Sequence, residues 1–121
     1  MSTFIDIAQE IAREAAGVLV SYAERGIGYR LKGEFDLVTE ADTASDRLIV
    51  ERLRTRFPSH SIVAEESGKH RTASEYCWYV DPLDGTANFA HGFPMFCVSM
   101  GLERAGRMIA GVVYEPGRDE M

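Results

Sequence analysis

The sequence has no long hydrophobic run and no cluster of basic residues. Its uninterrupted apolar stretches, such as Val18 to Val20 and Ile62 to Ala64, are a few residues long, whereas a bilayer-spanning helix needs roughly 20. Acids outnumber Lys and Arg by 19 to 13, which gives a net charge of -6. Nucleic acids and anionic membrane surfaces attract clustered positive charge. We therefore expect neither a membrane nor a nucleic acid as a partner.

Cysteine is also scarce, and the N-terminus carries no export signal. Asp6, Glu10 and Glu14 interrupt its apolar positions, unlike the continuous apolar core of a signal peptide. This pattern predicts a cytoplasmic protein. In that compartment Cys77 and Cys97, which form no CxxC motif, are expected to be reduced and buried.

The composition that remains is typical of one soluble globular domain. The chain has 121 residues, of which 45% are apolar and 26% charged, the usual balance for a chain that buries one core. Its acidity has a further consequence. A phosphorylated substrate would be repelled unless bound cations reversed the local field.

Two segments have the three-and-four spacing of amphipathic helices. The first is predicted over residues 2–24, with Ser2 or Thr3 as N-cap and a stop at Gly26 and Gly28. Its buried stripe would comprise Phe4, Ile7, Ile11, Ala15, Val18 and Tyr22.

The second helix is predicted over residues 40–56, after a loop over residues 32–39 that includes a short extended segment. Thr39 would cap this helix, with Asp42 three residues on, and residues 57–59 would end it. Its buried stripe would comprise Ala41, Ala44, Leu48, Ile49 and Leu53.

The periodicity then changes to that of a sheet. Short apolar runs predict strands at residues 62–64 and 76–80, separated by a polar loop from Ser67 to Ser74. Two further strands, 95–104 and 107–114, complete the pattern. Two helices followed by several strands indicate an α+β or layered αβ domain, for which we expect a mostly antiparallel sheet.

The last two strands would be joined by a hairpin turn at Ala105-Gly106. No strand returns after Tyr114. We therefore expect the sheet to be completed by residues that are not present here, which would leave an open edge.

Two acids follow directly on the buried strand Trp78-Tyr79-Val80. Asp81 and Asp84 lie three residues apart around Pro82, which would rigidify the strand exit and hold both carboxylates on one side of a tight turn. This segment is a candidate for a site that uses paired carboxylates.

The residues after this pair extend the candidate site. Gly85 would let a ligand approach the backbone, and residues 86–89 could begin a short helix whose free N–H groups face an anion. Asp-Gly is also a common turn dipeptide. A plain hairpin, however, would not require Asp81, and residues 86–92 do not alternate as its second strand would.

A second apolar run, residues 62–64, also ends in acids, Glu65 and Glu66. If the two strands are neighbours, Glu65 and Asp81 would meet at the sheet edge where ligands commonly bind. An acidic pair alone more often decorates a solvated loop. The functional interpretation therefore depends on Asp81 and Asp84.

Further upstream, Asp36 and Asp42 bracket residues 37–41. An Asx turn and helix capping are credible structural explanations for both acids.

Several carboxylates with glycine and a helix N-terminus, but without a His or Cys cluster, indicate hard divalent cations such as Mg²⁺. Two such ions about 3.5–4 Å apart can activate a water and stabilise the leaving oxygen in a displacement at phosphorus. His60, His70 and His91 have no metal-binding spacing, so we expect surface or hydrogen-bonding roles for them. No P-loop, GxGxxG or GxSxG motif is present, which leaves nucleotide-cradling and serine-hydrolase chemistry without support.

Three segments together resemble the signature motifs of the inositol monophosphatase family. They are DLVTEAD (36–42), AEES (64–67) and WYVDPLDGTANFAHGFP (78–94). The resemblance covers essentially the whole chain. It implies a Mg²⁺-dependent, lithium-sensitive phosphomonoesterase with two or more ions, a layered αβαβα architecture and a homodimer. Family members are considerably longer, and their second half supplies a further metal-binding aspartate. We therefore expect residues 1–121 to be a single domain, the N-terminal portion of such an enzyme.

The resemblance also implies roles for the matching residues. Glu65, Asp81 and the backbone carbonyl of Leu83 would bind one metal ion, and Asp81 would bridge to a second ion that Asp84 also binds.

Further roles follow from the same resemblance. Gly85 and Thr86 would bind the substrate phosphate through backbone N–H groups. Asp42 and Thr86 would act on the attacking water, with Glu65 also counted as catalytic. Glu66 would support the metal ligands from behind.

The expected reaction is hydrolysis of a small phosphomonoester, first of all inositol 1-phosphate. Histidinol phosphate, fructose 1,6-bisphosphate and 3′-phosphonucleotides are alternatives within the family. An alternative from another class is a non-catalytic interaction protein of the transcription machinery, because some bacterial relatives have that role. The presence of every metal-site acid available in this stretch argues against a dead scaffold.

Overall fold

The computed structural model describes residues 3–64, 67–84 and 96–116, with the backbone alone at residues 23 and 25–39. Over these residues the chain forms one helix and five strands. They are α1 (Phe4–Arg56), β1 (Ser61–Ala64), β2 (Gly68–His70), β3 (Tyr76–Asp84), β4 (Cys97–Arg104) and β5 (Arg107–Tyr114). No helix among the described residues is long and apolar enough to cross a membrane.

Helix α1 begins at the predicted place. The Thr3 hydroxyl accepts a hydrogen bond from the Asp6 backbone N–H at 3.1 Å, and the Asp6 carboxylate accepts one from the Thr3 N–H at 3.2 Å. This reciprocal capping box satisfies two N–H groups that the helix itself leaves unpaired. The helix ends at Arg56, and Phe57 is its C-cap, as the sequence predicts.

The interior of α1 differs from the prediction. The backbone is helical throughout Phe4–Arg56, so the predicted stop at Gly26 and Gly28, the loop over 32–39 and the cap at Thr39 are wrong. A glycine inside a helix costs only about 1 kcal/mol relative to alanine. The two glycines were therefore weak evidence for an end.

Helix α1 is nevertheless not straight. Glu14 and Arg52 are 38 residues apart and form an ion pair with an N–O distance of 3.1 Å, whereas a straight helix would separate them by about 57 Å. A second pair joins Glu10 and Arg56 at 3.4 Å. Two antiparallel portions therefore lie side by side, which we call the N-terminal arm (residues 4–22) and the C-terminal arm (residues 40–56). They correspond to the two predicted amphipathic helices.

The five strands form one sheet in the order β2-β1-β3-β4-β5. Strands β1 and β3 are parallel, and the other three neighbouring pairs are antiparallel. The predicted α+β fold with a mostly antiparallel sheet is confirmed. Strand β2 was not predicted, because its three residues, a glycine and two polar residues, lie at a sheet edge within the expected polar loop. The last strand, β5, is the other edge of this sheet.

Both arms of α1 pack on one face of the sheet, which we call the inner face. Buried side chains alternate along the strands, as a half-covered sheet requires. Trp78 and Val80 of β3 pair with Leu102 and Met100 of β4, and all four are buried. The helical side of this core is wider than the predicted stripes. It adds Ala8, Ala12, Ala16, Leu19 and Val50.

An aromatic cluster closes the core at the start of β3. His60 stacks between Phe57 and Tyr76, with ring centroids 4.8 and 4.6 Å away. Its Nδ1 accepts a hydrogen bond from the indole N–H of Trp78 at 3.0 Å, and burial lowers the pKa of His60. Phe4 packs on the same rings from the N-terminal arm. The hydrogen-bonding role expected for His60 is confirmed.

The opposite, outer face of the sheet is exposed. Tyr79, Met108 and Val113 retain 40%, 57% and 55% of their accessible surface. Met108 lies over Gly101, where an added Cβ would come within 2.6 Å of its methyl carbon. The two faces therefore differ sharply in how much of their apolar surface is covered.

The β4–β5 connection confirms the predicted hairpin. Ala105 and Gly106 have φ angles of 49° and 84°, the two positive values that a type I′ turn needs. Both cysteines are free, with Cys77 buried and Cys97 half-buried.

Candidate active site

The carboxyl ends of β1 and β3 lie next to each other. Ala64, the last residue of β1, pairs in parallel with Val80. Asp81 continues β3 immediately after that pair, and Glu65 follows Ala64 in the sequence. The prediction that Glu65 meets Asp81 required β1 and β3 to be neighbours. The structure shows that they are.

A β-bulge in β3 decides where the two aspartates point. Asp81 pairs with Ser99 and Asp84 with Cys97, so three steps along β3 oppose two steps along β4. In a regular strand, residues three apart lie on opposite faces. The extra residue of a bulge places two such residues on the same face again. Asp81 and Asp84 therefore share the outer face of the sheet with Ser99 and Cys97.

This geometry corrects the predicted tight turn at Asp81–Asp84, because β3 continues as a strand to Asp84. Pro82 is fully buried and lies in the bulge, one of the few places where an inner strand tolerates proline. The Asp81 carboxylate accepts a hydrogen bond from the Leu83 N–H at 3.3 Å. The Leu83 side chain is buried and fixes this segment to the core.

The charges of the two aspartates are not neutralised within the described part of the chain. Asp81 is half-buried and Asp84 exposed, and neither forms an ion pair with a described residue. The Cys97 thiol approaches the Asp84 carboxylate at 3.7 Å. Burial, followed by the charge of Asp84, raises the pKa of Cys97. Two like charges on one face with no partner cation fit a divalent metal ion with oxygen ligands.

The C-terminal arm of α1 brings a third acid towards the same end of the sheet. Asp42 is half-buried, and its Oδ1 atom is inaccessible to solvent. It lies one turn before Ser45, whose hydroxyl donates a hydrogen bond of 2.9 Å to the Pro82 carbonyl. Residues three apart on a helix share a face, so Asp42 is on the side of the arm that meets the end of β3.

Two residues at this junction were missed by the sequence interpretation. Ser45 and Asp46 are buried, although the predicted stripe of this helix contained apolar residues alone. The Asp46 carboxylate accepts a hydrogen bond from the Ser67 N–H at 3.3 Å. The sequence offered one usable signal, which is that both residues fall between Ala41 and Ile49 on the buried stripe.

Four of the predicted site residues, Glu65, Glu66, Gly85 and Thr86, lie outside the described residues, as do His91 and the predicted short helix at 86–89. Within the described ranges, no group of three or more His, Cys, Asp or Glu is close enough to hold a metal ion. The structure thus brings together Asp81, the Leu83 backbone and Asp84. It places Asp42 towards them across the helix–strand junction.

A cavity of about 570 Å³ adjoins Asp81 on the outer face. Its walls are mostly apolar and include Val63, Tyr79, Ser99, Gly101 and Met108. A phosphate group would not be held by such walls, because anions need hydrogen-bond donors or positive charge. We assign this cavity to the uncovered sheet face, while the acidic pair lies at its end.

Comparison with known proteins places these features in a family context. The model of the inositol monophosphatase family matches residues 1–121. Inositol monophosphatase 2 of Solanum lycopersicum is 43% identical over 100% of this chain and 48% of its own length. The Nus factor SuhB of Pasteurella multocida is 41% identical over 100% of this chain and 46% of its own.

A solved structure agrees in fold. The inositol monophosphatase from Anabaena (Nostoc) sp. PCC 7120 superposes with a TM-score of 0.81 and 47% identity, covering 97% of this chain and 41% of its own. The chain spans about half the length of the curated relatives it matches.

Proposed function

Because this chain belongs to the inositol monophosphatase family, we propose that it forms the N-terminal portion of a metal-dependent phosphomonoesterase, as a single domain over residues 1–121. The preferred substrate is a small phosphorylated polyol, inositol 1-phosphate first. The observation that carries this proposal is the pairing of Asp81 and Asp84 on one face of the sheet, with no described cation to neutralise them.

The metal site in this proposal holds two or more Mg²⁺ ions. Glu65, Asp81 and the Leu83 carbonyl would hold one ion, and Asp81 and Asp84 would hold another. All of these ligands are oxygen atoms, which Mg²⁺ prefers. Bound Mg²⁺ would supply Lewis-acid stabilisation of the negative charge on the phosphate.

The remaining residues act on substrate and water. Asp42 and Thr86 position the attacking water, whose proton passes to the Asp42 carboxylate, and Glu65 assists them. The backbone N–H groups of Gly85 and Thr86 bind the phosphate oxygens, while Glu66 supports the ligands from behind. The location of Asp42 on the arm that contacts Pro82 supports its part in this scheme.

Phosphate release tests the proposal. We would assay inositol 1-phosphate, histidinol phosphate, fructose 1,6-bisphosphate and a 3′-phosphonucleotide, with and without Mg²⁺ and with added Li⁺. Wild type should need Mg²⁺, and Asp81→Asn should abolish turnover. The control is Glu51→Gln, because Glu51 is an exposed acid that is paired with Arg52 at 3.4 Å and is not one of the proposed metal ligands.

Two results would contradict this scheme. Equal losses in Asp81→Asn and Glu51→Gln would mean that the acids act as nonspecific cation binders. If a folded protein that binds Mg²⁺ releases no phosphate, these 121 residues do not suffice for turnover. The assay would then be repeated with a chain extended by a relative's C-terminal half. Failure of that extended chain as well would reject the enzyme assignment.

A second candidate function is a non-catalytic role in transcription, favoured by the relative named Nus factor SuhB. This role predicts that the chain co-purifies with RNA polymerase from extract, and that Asp81→Asn does so equally well. Loss of co-purification in Asp81→Asn, or its absence from wild type, would count against it.

We further propose a cytoplasmic homodimer that binds neither nucleic acid nor membrane. The balance of 19 acids against 13 bases supports the absence of nucleic-acid and membrane partners, and the dimer is implied by the family resemblance. Analytical ultracentrifugation would give the mass in solution, and a monomer at micromolar concentration would contradict the dimer.

A further inference from the structure

Two consecutive polar residues of the C-terminal arm are buried at its contact with the sheet. Ser45 and Asp46 retain 0% and 2% of their accessible surface. Burying a hydroxyl or a carboxylate is costly unless it is hydrogen-bonded. Adjacent residues on a helix point about 100° apart, so this pair can reach two different segments of the chain at once.

Ser45 contacts the segment that carries the aspartate pair. Its hydroxyl donates to the Pro82 carbonyl at 2.9 Å across 37 residues of sequence. Pro82 lies in the bulge, where the regular ladder of hydrogen bonds is interrupted. Ser45 therefore supplies a donor for a backbone carbonyl between Asp81 and Leu83, and ties the bulge to the helix.

Asp46 contacts the segment that follows β1. Its carboxylate accepts from the Ser67 N–H at 3.3 Å, and the Ser67 hydroxyl lies 3.3 Å from Nε2 of His70 in β2. Ser67 comes directly after Glu65-Glu66 in the sequence. The same turn of helix thus connects to both segments that carry candidate metal ligands.

We propose that Ser45 and Asp46 are positioning residues, which fix the distance between the ligand segments of β1 and β3 and set both against Asp42. Asp42 lies three and four residues before them, on the same side of the arm. This inference rests on the proposed function, because it names the groups that hold that same site. Groups behind metal ligands commonly change metal affinity 10- to 100-fold when they are removed.

The test is Mg²⁺ titration of the folded chain by calorimetry, together with its thermal unfolding. Ser45→Ala and Asp46→Ala should each weaken Mg²⁺ binding by about 10-fold, measured well below the melting temperature. Asp46→Asn keeps an acceptor for the Ser67 N–H and should retain more affinity than Asp46→Ala. A merely structural role would lower the melting temperature without this rescue pattern.

The matched control is Thr55→Ala. Its hydroxyl donates to the Glu51 carbonyl at 2.9 Å within the same arm, and the residue is exposed, so Mg²⁺ affinity should not change. Equal affinities of Ser45→Ala and Thr55→Ala would overturn the role of Ser45. If Ser45→Ala does not fold, the comparison of Asp46→Asn with Asp46→Ala decides, and equal affinities there overturn the proposal.

The proposed function can fail separately. If Asp81→Asn binds Mg²⁺ as wild type does, the metal site itself is wrong. If Asp81→Asn loses binding while Ser45→Ala and Asp46→Ala keep it, the site stands and the positioning role is wrong.

Discussion

The two ends of β3 show opposite ways of using polar and aromatic groups. At its start, Tyr76 and Trp78 belong to a cluster whose rings stack and whose one indole N–H is satisfied by His60. At its end, Asp81 and Asp84 share a face, and no described cation offsets their charge. The first arrangement is complete within the chain. The second has two acids that a bound cation would neutralise, so stability and function separate along one strand.

The largest effect is expected at the aromatic end. Trp78 is 1% exposed, and truncating such a residue costs about 3–5 kcal/mol. Trp78→Ala should therefore lower the free energy of unfolding by that amount in urea denaturation, while the Mg²⁺ affinity of the folded protein stays the same. Tyr79→Ala, on the outer face, is the control and should cost much less. Equal losses for the two substitutions would refute the contrast between the faces.

The opposite pattern is expected at the acidic end. Asp84 is exposed, so Asp84→Asn should change the free energy of unfolding by no more than about 0.5 kcal/mol. Its Mg²⁺ affinity should fall at least about 10-fold, since even groups behind metal ligands have effects of that size. Calorimetric titration beside Glu51→Gln measures this difference. A large loss of stability with unchanged Mg²⁺ affinity would mean that Asp84 stabilises the fold and does not bind the metal ion.

A pH effect should belong to the aromatic end. Burial lowers the pKa of His60 in the folded chain below 6.5, whereas the unfolded chain keeps the ordinary value. The unfolded state therefore takes up the proton first as pH falls. The contribution of neutral His60 to the free energy of unfolding is fully present above pH 6.5. It is lost as the pH falls through the pKa of His60 in the folded chain.

Urea denaturation of wild type and His60→Gln between pH 7 and 5 isolates this contribution from that of the carboxylates. The stability difference between the two proteins should shrink as the pH falls. If the difference in free energy of unfolding between the two proteins does not change with pH, His60 does not make this contribution.

The smallest effect is expected at the β4–β5 hairpin, which lies beside the start of β3, where Arg104 pairs with Tyr76, and away from the acidic end. Ala105 has a φ of 49°, a conformation that Asn adopts more readily than Ala. Ala105→Asn should raise the free energy of unfolding by about 0.5–1 kcal/mol, with no change in Mg²⁺ binding. Ala73→Asn, in an exposed connection, is the control and should be neutral.

Local patterns predicted the parts of the fold whose causes are local. The three-and-four spacing predicted the two arms of α1, the choice of Ser2 or Thr3 as N-cap predicted where α1 begins, and Ala105-Gly106 predicted the hairpin. Strand β2 escaped prediction because its pairing with β1 depends on a neighbouring strand and not on its own polar residues. The helical backbone between the arms escaped it because each glycine is a weak signal on its own.

The candidate site was predictable in composition and less so in geometry. Asp81 and Asp84 stand out in the sequence, but their common face depends on a bulge that is visible in the pairing with β4 alone. Ser45 and Asp46 were not predicted, because their place on the buried stripe is a weak signal without their distant partners, Pro82 and Ser67.

The bulge also restricts how this segment can be edited or transplanted. Adding or removing one residue between Asp81 and Asp84 would reverse the parity of the strand and send one carboxylate into the apolar core, whereas a substitution at Leu83 leaves the parity intact. The number of residues in the stretch therefore matters more than their identity. A copy grafted into another sheet would need the irregular strand, its β4 partner and the helical donor to its proline carbonyl together.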